Sequence, residues 1–96
     1  MQLTIFARFR ARAGQEDAVA AAIGEVVPRS RAEAGCVAIA AYRSTKDPRL
    51  FWIHSHWVDE ADFDRHATMP HTVHFIATVR ELIDHELDID RSRPLA

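Results

Sequence analysis

One cysteine, Cys36, and three glycines are all that this 96-residue chain holds of two residue types on which much site chemistry depends. A lone thiol excludes a disulfide within the chain and any cluster of cysteine ligands, and it fits a reducing compartment. With so little glycine there is no phosphate-cradling loop, dinucleotide fingerprint or nucleophile elbow, so chemistry has to run without a motif-bound nucleotide cofactor. No run approaches the roughly 18 apolar residues of a membrane span, and no charged segment followed by an apolar one opens the chain. The expectation is a soluble, cytoplasmic protein with no membrane role. An excess of positive charge is missing too. Twelve basic residues against 14 acidic ones give a net charge of -2, which removes the field that gathers nucleic acid.

Apolar side chains make up 48% of the residues, but 16 of them are alanine, which leaves a modest set of larger ones for a core. The expectation is one domain over residues 1–96, with a tail from about 91. A chain of this size buries only roughly 60% of the surface its unfolded form exposes, so a second copy is a natural way to cover more.

Residues 2–12 alternate, with Leu3, Ile5, Ala7, Phe9 and Ala11 on one side, which predicts a half-buried strand. The interleaved Arg8, Arg10 and Arg12 read as a solvated or interface-facing edge. Gly14 ends the strand, and Val19, Ala22, Ile23 and Val26 recur at helical spacing behind acidic Glu16 and Asp17, which predicts a helix over about 15–27. Pro28 is expected to end or kink it, with Ala34-Gly35 closing a short helical piece beyond. Cys36–Arg43 and Leu50–Val58, joined by the turn Thr45-Lys46-Asp47-Pro48, read as a hairpin. Asp59 reads as an N-cap with Asp62 in position to reach back, so a short helix follows over about 60–67. Pro70 starts another, whose apolar stripe is Thr72, Phe75, Ile76, Val79, Leu82 and Ile83, with His74, Thr78, Glu81 and His85 on the wetter side. Glu86–Arg91 alternates as a last strand.

That order predicts an α+β protein of ferredoxin-like, split βαβ type, with an antiparallel sheet covered by helices on one face. The other face carries Phe6, Trp52, His54 and His56. Such a mixed aromatic and polar surface suits a partner subunit, and two sheets packed on these faces would make a dimeric α+β barrel.

Four of the six histidines and both tryptophans fall between positions 51 and 71. Phe51, Ile53, Ser55 and Trp57 share the helix-facing side of their strand, and Phe63 and His66 stand three apart on the short helix, so Trp57 and His66 can meet. His71, four residues before Phe75, sits at the inner start of the next helix. His66 reads either as a general base at the rim of an apolar pocket or as a partly buried histidine bonded to backbone. Trp57 reads either as a stacking wall for a ligand or as the largest core side chain. The His54-x-His56 pair has a spacing that metal sites use, but no acidic residue accompanies it on that face, and an interface role fits better, so no metal is expected. Cys36 has no neighbouring base that would make it a nucleophile.

The segments F-A-R-F-R-A-R-A-G-Q-E at 6–16, R-A-E-A-G-C at 31–36, Y-R-S-T-K-D-P at 42–48, F-W-I-H-S-H-W-V-D at 51–59, and F-D-R-H with the following P-H at 63–71 resemble, in order and spacing, the antibiotic biosynthesis monooxygenase superfamily, particularly its small quinol-monooxygenase-like members. The resemblance covers nearly the whole chain. It implies a ferredoxin-like protomer, a homodimeric barrel, and oxidation of a small phenolic, hydroquinone or anthrone-like substrate by dioxygen as co-substrate, with no metal, flavin or other cofactor. It also implies His66 as the base and His71 as a second proton-handling group, with Trp57, Phe63 and Ser55 against the substrate. The sequence departs from the family at Ser55, where glutamate is frequent. Haem-degrading relatives use an asparagine, and this chain has none. The alternative is a non-catalytic dimeric barrel that binds a small aromatic metabolite or acts as a stress-related module.

Overall fold

The computed structural model describes residues 2–96. Its elements run β1 (Leu3–Arg10), α1 (Glu16–Arg31), β2 (Cys36–Arg43), β3 (Leu50–Trp57), α2 (Glu60–Ala67), α3 (Pro70–Arg80) and β4 (Asp88–Ser92). The sheet order is β2-β3-β1-β4, and every neighbouring pair is antiparallel. Because β1 and β2 both run against β3, which lies between them, β1-α1-β2 is a split βαβ unit, and the fold is α+β and ferredoxin-like.

The period-two pattern sets the two faces. Leu3, Ile5, Ala7 and Phe9 of β1 and Phe51, Ile53, Ser55 and Trp57 of β3 are buried under the helices. In register on the opposite face lie Phe6 beside His54 and Arg8 beside Trp52. Tyr42 extends this outer face from β2 next to Trp52, and Phe6 and His54 stack at 4.8 Å between ring centres. The outer face is thus half-exposed and partly aromatic, as the alternation predicts. A β-bulge at Val37 shifts the register by one residue, so that Cys36 pairs with Trp57 and Ala38 with His56.

Three expectations are corrected. Pro28 does not end the first helix, because α1 continues to Arg31 with Pro28 inside its last turn. An interior proline costs about 3 kcal/mol, but here its ring faces solvent while Val26, Val27 and Ser30 stay buried on either side of it, and Arg31 Nη2 donates to the Ile39 carbonyl at 2.8 Å. The stripe assigned to the last helix outruns it: α3 ends at Arg80, and Ile83, still fully buried, reaches the core through a bridge to Ala11. His85 therefore lies beyond the helix, where its Nε2 accepts from the Arg10 amide at 2.9 Å. Asp59 caps α2 by accepting from the Asp62 amide at 2.9 Å, but the Asp62 carboxylate turns to Arg65 instead of reaching back. Asp62 also leans over Gly35 so closely that any side chain at Gly35 would collide with it, which locks the end of the α1–β2 turn against α2.

The alternating arginines divide. Arg10 is bound by Asp47 at 2.9 Å and Asp84 at 2.6 Å, and Arg49 joins Asp84 at 3.1 Å. The Arg10 hydrogen bond, helped by the Arg49 amide, holds the Asp47 carboxyl below its ordinary range. This network ties the β2–β3 turn to the segment after α3. Among the described residues, no helix is long and apolar enough to cross a membrane.

Candidate active site

Between the inner face of the sheet and the three helices lies a cavity of about 290 Å³. Ile5, Phe9 and Ile53 from the sheet and Val26, Phe75 and Ile76 from the helices make it largely apolar. Its polar groups are few: Ser30, Ser55, Thr72, His66 and, from β4, Arg91. A concave apolar space with few polar groups is the usual form of a small-molecule site, at the small end of a range of about 300–1,000 Å³.

His66 is placed by α2, which the Asp59 cap starts and which buries none of its own residues completely. Its ring lies 4.5 Å, centre to centre, from the Trp57 indole and 5.5 Å from Phe63, and Trp57 and Phe63 meet edge to face at 5.7 Å. Trp57 itself is 0% exposed and backs His66 without lining the cavity. The reason is local: its Nε1–H donates to Ser55 Oγ at 3.0 Å, which turns the indole inward along its own strand. Ser55 thereby satisfies a buried donor with a neutral acceptor.

The organising group is Glu33, two residues past the last helical residue of α1. Its Oε2 accepts from His66 Nδ1 at 2.7 Å and from His71 Nε2 at 2.7 Å, and all three side chains are only 11–14% exposed. Thr72 Oγ1 stands 3.3 Å from the same His66 nitrogen. A carboxylate can only accept, so each imidazole presents an N–H to it. For neutral His66 this puts the proton on Nδ1 and leaves Nε2 with a free lone pair, the arrangement by which a carboxylate orients a general base. His71 faces away from the cavity, into a groove of about 420 Å³ between α1 and α3. Glu33 thus links a histidine on the cavity to one on the groove between α1 and α3.

The five residues singled out from the sequence therefore come together. Ser55, Phe63 and His66 line the cavity, but Trp57, expected against the substrate, only backs His66 because its indole is turned inward to Ser55. His71, expected to point between helix and sheet, joins through Glu33 and opens on the groove instead. Glu33, Thr72 and Arg91 were missed. Glu33 did leave a signal, because an acidic side chain at the carboxy-terminal end of a helix opposes the helix dipole, and such local conflicts concentrate at functional sites. Arg91 left none. Its guanidinium sits 4.8 Å above the Phe63 ring and donates to Asp64 at 2.8 Å, contacts that need the β1–β4 pairing. Cys36, beside the site, is a poor nucleophile: burial pushes its thiol up, and the Glu33 charge adds to this against a smaller opposing effect of Arg31.

Known proteins carry the same fold. Rv0793 from Mycobacterium tuberculosis superposes with a TM-score of 0.94 at 24% identity, covering 100% of this chain and 97% of the other. PA3566 from Pseudomonas aeruginosa does so at 0.91 and 30% identity, covering 99% and 95%. A structure described as an antibiotic biosynthesis monooxygenase gives 0.92 at 21% identity, covering 98% and 99%. No curated protein matches the sequence. The sequence model named antibiotic biosynthesis monooxygenase matches residues 2–78, which hold Glu33, Ser55, Trp57, Phe63, His66 and His71, and the chain belongs to that family.

Proposed function

We propose that this protein is a cofactor-independent monooxygenase that oxidises a small phenolic, hydroquinone or anthrone-like substrate with dioxygen. The observation that carries the reading is the Glu33-held imidazole of His66, with its Nε2 unengaged, on an apolar cavity of about 290 Å³ in a chain of this family.

Neutral His66 takes the substrate hydroxyl proton on Nε2, and the Glu33 carboxylate stabilises the imidazolium that forms. The electron-rich anion passes an electron to dioxygen, and the radical pair joins to form a carbon–oxygen bond, giving a hydroperoxide once a proton returns from His66. Loss of the ring C–H proton with cleavage of the O–O bond leaves a carbonyl and releases water, so one oxygen atom enters the product and the substrate supplies all the electrons. Arg91, among the described residues the one arginine or lysine lining the cavity, stands where it can balance the substrate anion. His71, on the far side of Glu33, completes a path for protons from the cavity to the groove between α1 and α3. Ser55 and Phe63 contact the substrate, and Trp57 fixes the plane of the His66 ring. The same reading makes the outer sheet face, with Phe6, Trp52 and Tyr42, the contact of a homodimer.

Oxygen uptake by chelator-treated protein with a panel of hydroquinones and anthrones tests the reading against autoxidation without protein. Uptake above that control, saturating in substrate, is the expected result. Saturable binding with no uptake would identify a non-catalytic barrel for small aromatic compounds and overturn the enzymatic reading.

A further inference from the structure

We propose that Glu33, His66 and His71 also form a binding site for a divalent transition-metal ion of the zinc and cobalt class. The three side chains come from three separate places, the turn after α1, α2 and the first turn of α3, and present one carboxylate oxygen and two imidazole nitrogens within 4.8 Å of one another. Two imidazoles and one carboxylate are a donor set suited to such ions, and it leaves a fourth position for water.

The present spacing is that of shared protons: Oε2 lies 2.7 Å from each nitrogen. Ligands bound at about 2.0–2.2 Å around a tetrahedral ion stand roughly 3.3 Å apart, so shifts of about an ångström convert one arrangement into the other. Shifts of that size are within reach of side-chain torsions at Glu33 and His71, while Asp62 keeps α2 against the turn at Gly35. An ion would replace the two protons now shared with Glu33 and would tie α2 and α3 to the end of α1. The three side chains keep only 11–14% of their surface exposed, which limits the competition of bulk water for the ligand atoms. The outer-face pair His54 and His56 lacks this support, since no carboxylate joins it in such a cluster among the described residues.

Occupancy has a consequence that rests on the proposed oxygenase reading. A metal bound to His66 Nδ1 obliges the neutral ring to carry its one proton on Nε2, and the base is lost. The ion would then act as an inhibitor, and the two uses of the triad would exclude each other.

Titration of chelator-treated protein with Co²⁺, followed by visible absorption and by displacement with Zn²⁺, tests the site without reference to activity. One Co²⁺ per chain is expected, with tetrahedral or five-coordinate absorption and a rise in melting temperature. Affinity should fall at least about tenfold in Glu33→Gln and in His71→Ala, each checked by circular dichroism for retained fold, and should be unchanged in the double variant His54→Ala/His56→Ala. Absence of binding at millimolar Co²⁺, binding unaltered by Glu33→Gln and His71→Ala, or binding lost with His54 and His56 would each overturn the proposal. None of these outcomes depends on oxygen uptake, so the metal site and the oxygenase reading stand or fall separately.

Discussion

Replacing His66 with alanine is expected to lower turnover of a phenolic substrate by about 10²–10⁴-fold, the usual contribution of a positioned general base. The size of the effect follows from the apolar lining of the cavity. Apart from His66, the polar lining groups are three hydroxyls and a guanidinium, none of which takes up a proton readily at neutral pH. Among the described residues the cavity lining contains no carboxylate, and Glu33 lies on the far side of the His66 ring, so no lining group stands ready to take over as base. The loss should appear in kcat, since the alanine variant keeps the apolar walls that bind the substrate and enlarges the cavity. The measurement is steady-state oxygen uptake with the best substrate of the panel, beside circular dichroism of the variant. Unchanged kcat would remove His66 from the mechanism and shift the base to another group.

Trp57→Ala should have the largest effect on stability, a loss of about 3–5 kcal/mol. Trp57 is among the largest fully buried side chains and holds together a cluster separate from the main core, with Leu3, Ile5, Cys36 and Phe63 around it. Removing it opens a cavity, leaves Ser55 Oγ without the donor it now serves, and takes away the surface on which the His66 ring rests. A domain of this kind has about 5–15 kcal/mol in total, so the variant would stand near the edge of folding. Urea unfolding measures the change directly. Trp57→Phe should recover part of the loss, because an aromatic ring still fills most of the space, while the Ser55 contact stays broken. A midpoint in Trp57→Ala close to that of the parent chain would show that the neighbourhood collapses around the gap and that the indole contributes little.

Much of this architecture could be read from local pattern, and the failures have a common cause. Period-two alternation in Leu3–Phe9 and Phe51–Trp57 separated the two faces of the sheet, because one side of each strand is buried and a one-residue slip would invert it. The same alternation put Ser55 and Trp57 under the helices, and helical spacing brought Phe63 and His66 to them. Proline chemistry misled at Pro28, where burial of Val26, Val27 and Ser30 outweighs a missing hydrogen bond in the last turn, a tertiary effect with no local sign. Apolar spacing misled at Leu82 and Ile83, since a chain leaving a helix can keep its buried side chains in the core through a bridge such as Ala11 to Ile83.

In the site, the residues found were those that announce themselves, histidines and tryptophan clustered along 20 positions. Glu33 was hidden because acidic residues are common on surfaces and its two partners lie 33 and 38 residues away. Only its place at the wrong end of a helix distinguished it. Arg91 depends on which strand pairs with β1, which the alternation of Asp88–Ser92 does not state.

In the proposed mechanism Glu33 holds His66 with its proton on Nδ1 and leaves Nε2 as the base. The most direct test is two-bond proton–nitrogen correlation NMR of the histidine rings, in chelator-treated protein at a pH where the ring is neutral. A protonated Nδ1 and an unprotonated Nε2 at His66, changing when Glu33 becomes glutamine, is the expected result. A neutral His66 ring protonated on Nε2, unaffected by Glu33→Gln, would contradict it.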